Sequence, residues 1–263
     1  MTIAKYIKEL LSYEEYAFSW KEIKNKSDKS DTSLKRELSR LVEKKEIVNL
    51  RKGFYLIIPP RYSKQKQIPV QLYVGKLFKY LNREYYLAFY SAAKFHGASH
   101  QQIQRDYIIT SAPSLLNIKK ASIDLKFLTT SNWPNKNIMD KKSDAGYFKI
   151  SSPALTAVDL IHYQTKLGGL NRMLAIIEEL SEEIDQHELG NLLSWYPHKS
   201  TLQRFGFLLE KLHANEKLTG QLFKHLKSLK YFPVLLSSKP GQKPGAVNNK
   251  WKVDVNIKLD SDL

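Results

Sequence analysis

Hydrophobic residues recur at helical spacing between residues 31 and 43. The apolar positions are Leu34, Leu38, Leu41 and Val42, which follow the i, i+4, i+7, i+8 pattern of one helix face. Asp31 and Thr32 precede the pattern, and either can cap a helix because its side-chain oxygen accepts from free N–H groups of the first turn. The opposite face carries Ser33, Lys35, Arg36, Ser39 and Arg40. The pattern predicts an amphipathic helix with a basic outer face.

The segments on either side of this helix extend the pattern to a larger unit. Ser19 and Glu22 have the spacing of a capping box, which predicts that a preceding helix begins at Ser19. After the basic helix, residues 47–50 and 54–58 are rich in β-forming side chains, and Arg51-Lys52-Gly53 joins them. Glycine supplies the positive φ of a tight hairpin turn. This order predicts a winged helix-turn-helix over residues 1–62.

A basic helix followed by a cationic hairpin is typical of DNA-binding modules. Lysine and arginine reach phosphates and guanine edges in the major groove, while a wing can lie along the backbone or in the minor groove. We therefore predict DNA contacts from Thr32, Ser33, Lys35, Arg36, Ser39 and Arg40 of the helix, and from Arg51 and Lys52 of the wing. Two plainer interpretations stay open: a solvated basic face, or a winged helix that docks a protein.

A domain boundary is predicted after the hairpin. Pro59-Pro60 cannot continue a strand ladder, and residues 61–69 are polar without apolar periodicity. Beyond them the pattern predicts helices over 73–81, 87–95, 153–161, 170–180, 187–195, 202–212 and 218–229, and strands over 107–110, 123–128, 147–150 and 251–258. The expected fold class is α+β: an N-terminal winged helix-turn-helix over residues 1–62, then a larger mixed α+β domain over residues 63–263.

The composition indicates the class of partner and the cellular compartment. Lysine plus arginine number 42 against 26 acidic residues, a formal charge of +16 that favours a polyanionic partner. Cysteine is absent, which excludes disulfides, thiolate metal sites and cysteine nucleophiles. No uninterrupted apolar run reaches membrane-spanning length, and the charged N-terminus is wrong for a signal peptide. We expect a soluble cytoplasmic protein without a membrane partner.

The catalytic and metal-ligating patterns are all incomplete. His96 and His100 are four residues apart, but Gly97 between them is expected to end the helix and no acidic ligand is near. Asp159 and His162 resemble an acid–base pair without a nucleophile-elbow pattern. No Gly-Lys-Ser or Gly-Lys-Thr sequence follows a glycine-rich loop. We therefore expect no enzymatic activity, no catalytic residues, no metal site and no cofactor.

Several segments in order resemble the AbiEi antitoxins of bacterial abortive-infection toxin–antitoxin systems. They are residues 85–102 (YYLAFYSAAKFHGASHQQ), 151–160 (SSPALTAVDL), 168–171 (GGLN), 203–209 (QRFGFLL) and 251–260. The wing sequence Arg51-Lys52-Gly53-Phe54-Tyr55 fits the same family. The resemblance covers nearly the whole chain.

The resemblance implies a function for each part of the chain. It implies a winged helix that represses its own operon at the promoter, and a C-terminal domain that counteracts a nucleotidyltransferase toxin, generally without a stable toxin–antitoxin complex. The candidate residues for the antitoxin function are His96, His100, Gln101, Arg204, Trp251 and Asn256. Whether copies of the chain form a homo-oligomer on DNA stays open.

Two other function classes also fit the sequence. One is a winged-helix transcriptional regulator whose C-terminal domain senses a ligand or oligomerises and has no toxin partner. The other is a single-strand or RNA-binding protein that stacks bases on Tyr85, Tyr86, Phe89 and Tyr90. These aromatics sit at helical spacing among alanines and leucine, which favours a place in the core.

Overall fold

A computed structural model describes residues 1–63, 68–98, 104–239 and 241–260. The candidate residues His100 and Gln101 lie outside these ranges. Tertiary contacts divide the chain into two compact units. The first comprises Met1–Tyr86, Gln104–Ser131 and Asp140–Lys149, and the second comprises Leu87–Ile103, Asn132–Met139 and Ile150–Leu263. The chain is a mixed α+β protein, as the sequence predicts.

The N-terminal part of the first unit is built from short helices on a small sheet. Its elements in order are α1 (Ile3–Ser12), β1 (Ala17–Ser19), α2 (Trp20–Lys26), α3 (Asp31–Glu43), β2 (Ile47–Arg51), β3 (Phe54–Ile57) and α4 (Pro60–Ser63). The three strands form an antiparallel sheet in the order β1-β3-β2. Ile3, Phe18, Ile23, Leu34 and Leu38 share one buried cluster, which explains the apolar stripe of α3.

The helix starts in this part are fixed by short polar side chains. The predicted capping box is confirmed, because Ser19 Oγ accepts from Glu22 N at 3.2 Å and Ser19 N donates to the Glu22 carboxylate. The predicted cap of α3 at Asp31 or Thr32 is wrong. Ser30 Oγ accepts from Ser33 N instead, so that Asp31 is already the first helical residue.

The rest of the first unit is dominated by a larger sheet. After α5 (Val74–Leu81) come β4 (Tyr85–Leu87), β5 (Asp106–Ser111), β6 (Ile118–Lys120), β7 (Ile123–Thr130), β8 (Ile138–Ser143) and β9 (Gly146–Ser151). They form a six-stranded sheet in the order β6-β7-β5-β4-β9-β8. The pair β5–β7 is parallel and the hairpin β6–β7 is antiparallel. The predicted strands at 107–110, 123–128 and 147–150 are present.

The second unit is mainly helical. It contains α6 (Phe89–Ala93), α7 (Pro153–His162), α8 (Leu174–Glu183), α9 (Gln186–Leu193), α10 (Lys199–Lys211) and α11 (Glu216–Lys227), with the short parallel pair β10 (Val234–Leu235) and β11 (Val253–Asp254). Pro153 occupies the first turn of α7, as predicted, and Ser152 caps it. Every residue of α10 from Thr201 to Leu209 is buried, so α10 is central to this core.

Two predicted elements differ in the structure. Residues 87–95 form the end of β4, α6 and a single 3-10 turn rather than one helix, although Gly97 does cap that turn with φ 78°. The predicted strand at 251–258 shrinks to β11, because Lys252 adopts φ 54° and breaks the extended backbone. The aromatics Tyr85, Tyr86, Phe89 and Tyr90 are all buried, so they offer no platform for stacking bases.

Candidate nucleic-acid interface and antitoxin segments

The predicted DNA-contacting residues of α3 lie on its exposed face. These are Thr32, Ser33, Lys35, Arg36, Ser39 and Arg40. Neither the Arg36 nor the Arg40 guanidinium makes a hydrogen bond or ion pair within the part of the chain that the structure describes. The Lys35 ammonium lies 5.8 Å from the centroid of the Trp20 ring. The helix therefore presents cations and hydroxyl groups to solvent.

The other side of α3 is anchored by polar contacts as well as by its leucines. The Glu37 carboxylate accepts from Ile3 N at 3.1 Å and pairs with Lys29 at 2.6 Å. Asp31 pairs with Lys24 of α2 at 2.9 Å. These contacts fix α3 against α1 and α2, so that the orientation of its basic face is set by the fold.

The two cations of the hairpin between β2 and β3 have different surroundings. Lys52 is exposed at the turn, and its carbonyl accepts from the Tyr80 hydroxyl at 2.8 Å. Gly53 has φ 75°, and a Cβ there would lie 2.9 Å from the Tyr80 hydroxyl, so both its conformation and its space require glycine. The hairpin turn is therefore held against α5.

Arg51 does not extend from the hairpin into solvent. Its guanidinium lies 5.6 Å from the centroid of the Phe127 ring of β7 and donates to the carbonyl of Leu116. Burial lowers the pKa of Arg51 from its usual value of 12.5. The structure thus places one predicted DNA contact, Lys52, in the open and the other, Arg51, against the large sheet.

An ion-pair cluster and a cleft adjoin α2 in the same unit. Lys76 of α5 pairs with Glu15 and, at 3.2 Å, with Glu22. Hydrogen bonds from Ser19 and the charge of Lys76 outweigh burial, and the pKa of Glu22 is lowered. An open cleft of about 740 Å³ beside this cluster is lined by Tyr16, Tyr80, Tyr85, Tyr147, Lys79 and Lys149 among others. It can hold a small polar ligand next to the start of α2.

The antitoxin candidates in the second unit are largely engaged in structure. His96 is half-buried, and its Nε2 lies 2.8 Å from the carbonyl of Ser151. Arg204 is 8% exposed; its Nε donates to the Leu235 carbonyl at 2.8 Å and an Nη donates to Ser238 Oγ at 3.2 Å. Burial lowers the pKa of Arg204 from 12.5. These two candidates hold neighbouring backbone segments in place.

Trp251 and Asn256 attach the C-terminal segment. The Trp251 ring is fully buried against Gly206, where a Cβ would lie 2.1 Å from the ring, and its indole N–H donates to Glu210. Asn256 Oδ1 accepts from Ser237 N at 2.9 Å and its Nδ2 donates to the Ser237 carbonyl at 2.9 Å. The segment of residues 249–256 is therefore clamped to α10 and to residues 234–238.

The sequence did not indicate a half-buried polar cluster at the end of α7. His162 Nδ1 lies 3.2 Å from Thr201 Oγ1, and its ring stacks on His198 at 4.2 Å. Burial, followed by the charges of His198, Arg204 and Lys166, lowers the pKa of His162 to about 4, so this imidazole is neutral at pH 7. Nothing in the spacing of these residues along the sequence pointed to their meeting.

Among the described residues, no group of three or more histidine or acidic side chains is arranged to hold a metal ion. Among the helices that the structure describes, none combines the length and the apolar character needed to cross a bilayer.

Comparison with known proteins finds one matching family and a similar solved structure. Residues 86–211 match the family described as the AbiEi antitoxin C-terminal domain. The crystal structure of the RV2827C protein from Mycobacterium tuberculosis is similar, with a TM-score of 0.65 over 95% of this chain and 89% of that chain. The two sequences are 15% identical, so this likeness shows the fold alone. A search of curated proteins finds no match. The match over residues 86–211 confirms the resemblance of this part of the chain to the AbiEi antitoxins.

Proposed function

We propose that this protein is a transcriptional repressor and antitoxin that binds the promoter of its own operon and counteracts a nucleotidyltransferase toxin. The antitoxin role follows from the AbiEi antitoxin C-terminal domain. The DNA-binding role and the kind of toxin are proposals. The division of labour is the one that the sequence predicts, with DNA binding in residues 1–62 and antitoxicity in residues 63–263.

The observation that carries the DNA-binding role is the free basic face of α3. In the chain, α2 precedes α3, and the hairpin of β2 and β3 follows it. This order supports the proposed winged helix-turn-helix. Arg36 and Arg40 have no partners among the described residues that would need to be broken on binding. Such side chains can form bidentate contacts with guanine N7 and O6 in the major groove.

The antitoxin role is proposed to act without a stable toxin complex. Arg204, Trp251 and Asn256 are used internally, as hydrogen-bond donors and packing groups, and so offer little to a docking partner. This supports a domain that acts as a folded whole rather than through these side chains as contact points.

Full-length variants test the division of labour. The double variant Arg36→Ala/Arg40→Ala should lose repression of a promoter reporter and still protect cells that express the cognate nucleotidyltransferase toxin. The matched control is Lys224→Ala/Lys227→Ala on the exposed face of α11, which removes the same charge. Loss of protection by the α3 variant at unchanged protein level, or full repression by it, would contradict the proposal.

A second candidate function is a ligand-responsive regulator with no toxin partner. The cleft of about 740 Å³ favours it, because the cleft is lined by Ser19 and Glu22, which start α2. A ligand there would change the position of α2 and hence DNA affinity. Promoter binding that responds to a metabolite extract, in a protein that gives no protection against a nucleotidyltransferase toxin, would favour this candidate.

A further inference from the structure

The loop before β6 carries an unusually open apolar side chain beside the hairpin of β2 and β3. Leu116 is 80% exposed, the highest exposure of any large hydrophobic side chain among the described residues. Its backbone is fixed, because its carbonyl accepts from the Arg51 guanidinium. The exposed side chain is therefore presented from a held backbone position.

A second contact joins the same two regions. The Lys120 ammonium at the end of β6 donates to the carbonyl of Asn49 in β2 at 2.7 Å. An ammonium has three donors, so Lys120, which is exposed, keeps two for another acceptor. Lys52 is exposed on the neighbouring turn. Two exposed cations thus lie on the hairpin and on β6, the two elements that adjoin the loop of Leu116.

The charges around Leu116 define the chemistry of a partner. Residues 112–124 contain one acidic side chain, Asp124, and it is already paired with Arg105 at 2.9 Å. An exposed apolar side chain on a loop that adjoins two cation-bearing elements fits the minor groove of duplex DNA, where apolar wedges enter between base steps and lysines contact the flanking phosphates. A protein partner would more often bind a larger apolar surface with fewer charges than this loop offers.

We propose that the loop of residues 112–117 is a second DNA-contacting element beside the wing, in which Leu116 enters the minor groove and Lys52 and Lys120 contact the backbone. This inference rests on the proposed DNA-binding function. In it Arg51 is a positioning residue: it holds the Leu116 backbone through its guanidinium and does not itself bind phosphate. The proposal therefore gives the two neighbouring wing cations different roles.

The experiment measures promoter affinity as a function of salt for the full chain and single variants. Leu116→Ser should lower affinity about tenfold by leaving the apolar contact unmade, with no change in the log K against log salt slope. Lys52→Ala should flatten that slope by about 0.9 because one phosphate contact is lost. Arg51→Ala should behave like Leu116→Ser, and the double variant Arg51→Ala/Leu116→Ser should lose little more than either alone.

Three controls separate the contact from folding and from an unspecific apolar effect. Val255→Ser changes another exposed aliphatic residue, in the second unit, and should leave affinity unchanged. Thermal unfolding of Leu116→Ser should match the parent, because the side chain is exposed. In a promoter with 2-aminopurine at each step of the protected minor groove, the parent should raise fluorescence at one step by unstacking it, and Leu116→Ser should not.

The outcomes distinguish this inference from the function on which it rests. A parent protein with no affinity for duplex DNA overturns both. A parent that binds DNA, with Leu116→Ser of equal affinity and equal 2-aminopurine response, overturns only the inference. A flattened salt slope for Arg51→Ala assigns that guanidinium to phosphate and overturns its positioning role. Loss of toxin protection by Leu116→Ser with intact DNA binding would assign the loop to a protein partner instead.

Discussion

The face of α3 and the C-terminal segment of residues 249–256 both supplied candidate functional residues, but the fold treats them in opposite ways. Arg36 and Arg40 on α3 are exposed and without hydrogen bonds among the described residues. Trp251 is buried and Asn256 is fully engaged with Ser237. A polar or aromatic side chain can bind a partner only if the fold does not already use it. Substitutions on α3 should therefore change binding, and substitutions around Trp251 should change stability.

The largest expected effect tests the structural side of this comparison. Trp251→Ala should lower the free energy of unfolding by about 3–5 kcal/mol, because it empties a fully buried indole site. Urea denaturation measures the loss, and Phe232→Ala, at a side chain 65% exposed, is the control. A Trp251→Ala protein of parental stability that no longer protects against the toxin would place Trp251 with the binding residues.

Gly206→Ala provides an independent check of the same packing. The new methyl group would lie 2.1 Å from the Trp251 ring, so the ring or α10 must shift. Overpacking of this kind destabilises by about 1–3 kcal/mol. Gly220→Ala on α11, where a Cβ meets no atom within 4 Å, should be neutral or stabilising. Equal stability of the two variants would contradict the packing described here.

Arg204 tests whether a buried cation in this region is structural. Arg204→Met keeps much of the side-chain length but leaves the Leu235 carbonyl without its donor, which should lower the free energy of unfolding by about 1–3 kcal/mol. Arg204→Lys should recover little, since an ammonium cannot reproduce the paired contacts to Leu235 and Ser238. The melting temperatures of the three proteins decide this, and full recovery by lysine would favour a role for charge alone.

Single substitutions on the basic face of α3 should reduce the preference of the protein for the promoter sequence over random DNA. Arg36→Ala or Arg40→Ala should each lower affinity for the promoter site by about 1–3 kcal/mol if a bidentate base contact is lost. Stability should stay within about 0.5 kcal/mol, because both side chains are exposed. Competition against random duplex is the measurement. Equal losses on specific and random DNA would assign both arginines to phosphate.

A further expected effect is a pH dependence of stability that arises from His162 in the second unit. The pKa of His162 is lowered to about 4, whereas an unfolded histidine titrates near 6.5. The unfolded state therefore binds the proton more tightly, and this contribution to stability is present above pH 6.5 and is lost as pH falls toward 4. His162→Gln should make stability less dependent on pH over that range. Equal pH profiles for His162→Gln and for the control variant His187→Gln, at an exposed position of α9, would contradict this prediction.

Several elements of this protein were determined by local sequence. The apolar spacing of α3, the capping box at Ser19, the glycine at position 53 and the proline that starts α7 each act over a few residues. Their physical causes are side-chain periodicity, satisfaction of free N–H groups and backbone conformation, which do not depend on distant parts of the chain. Most helices and the longer strands could be predicted for this reason.

The roles of the candidate residues were decided only by tertiary structure. Arg51 and Lys52 are neighbours of equal charge in the sequence, yet one packs on Phe127 and the other is exposed. Leu116 is a candidate DNA contact only because β6 lies beside β2. Trp251 has a structural role because it packs against Gly206. Contacts between residues far apart in the chain depend on the packing of whole elements. The sequence thus determined which residue types are available, and the fold determined which of them remain free to bind.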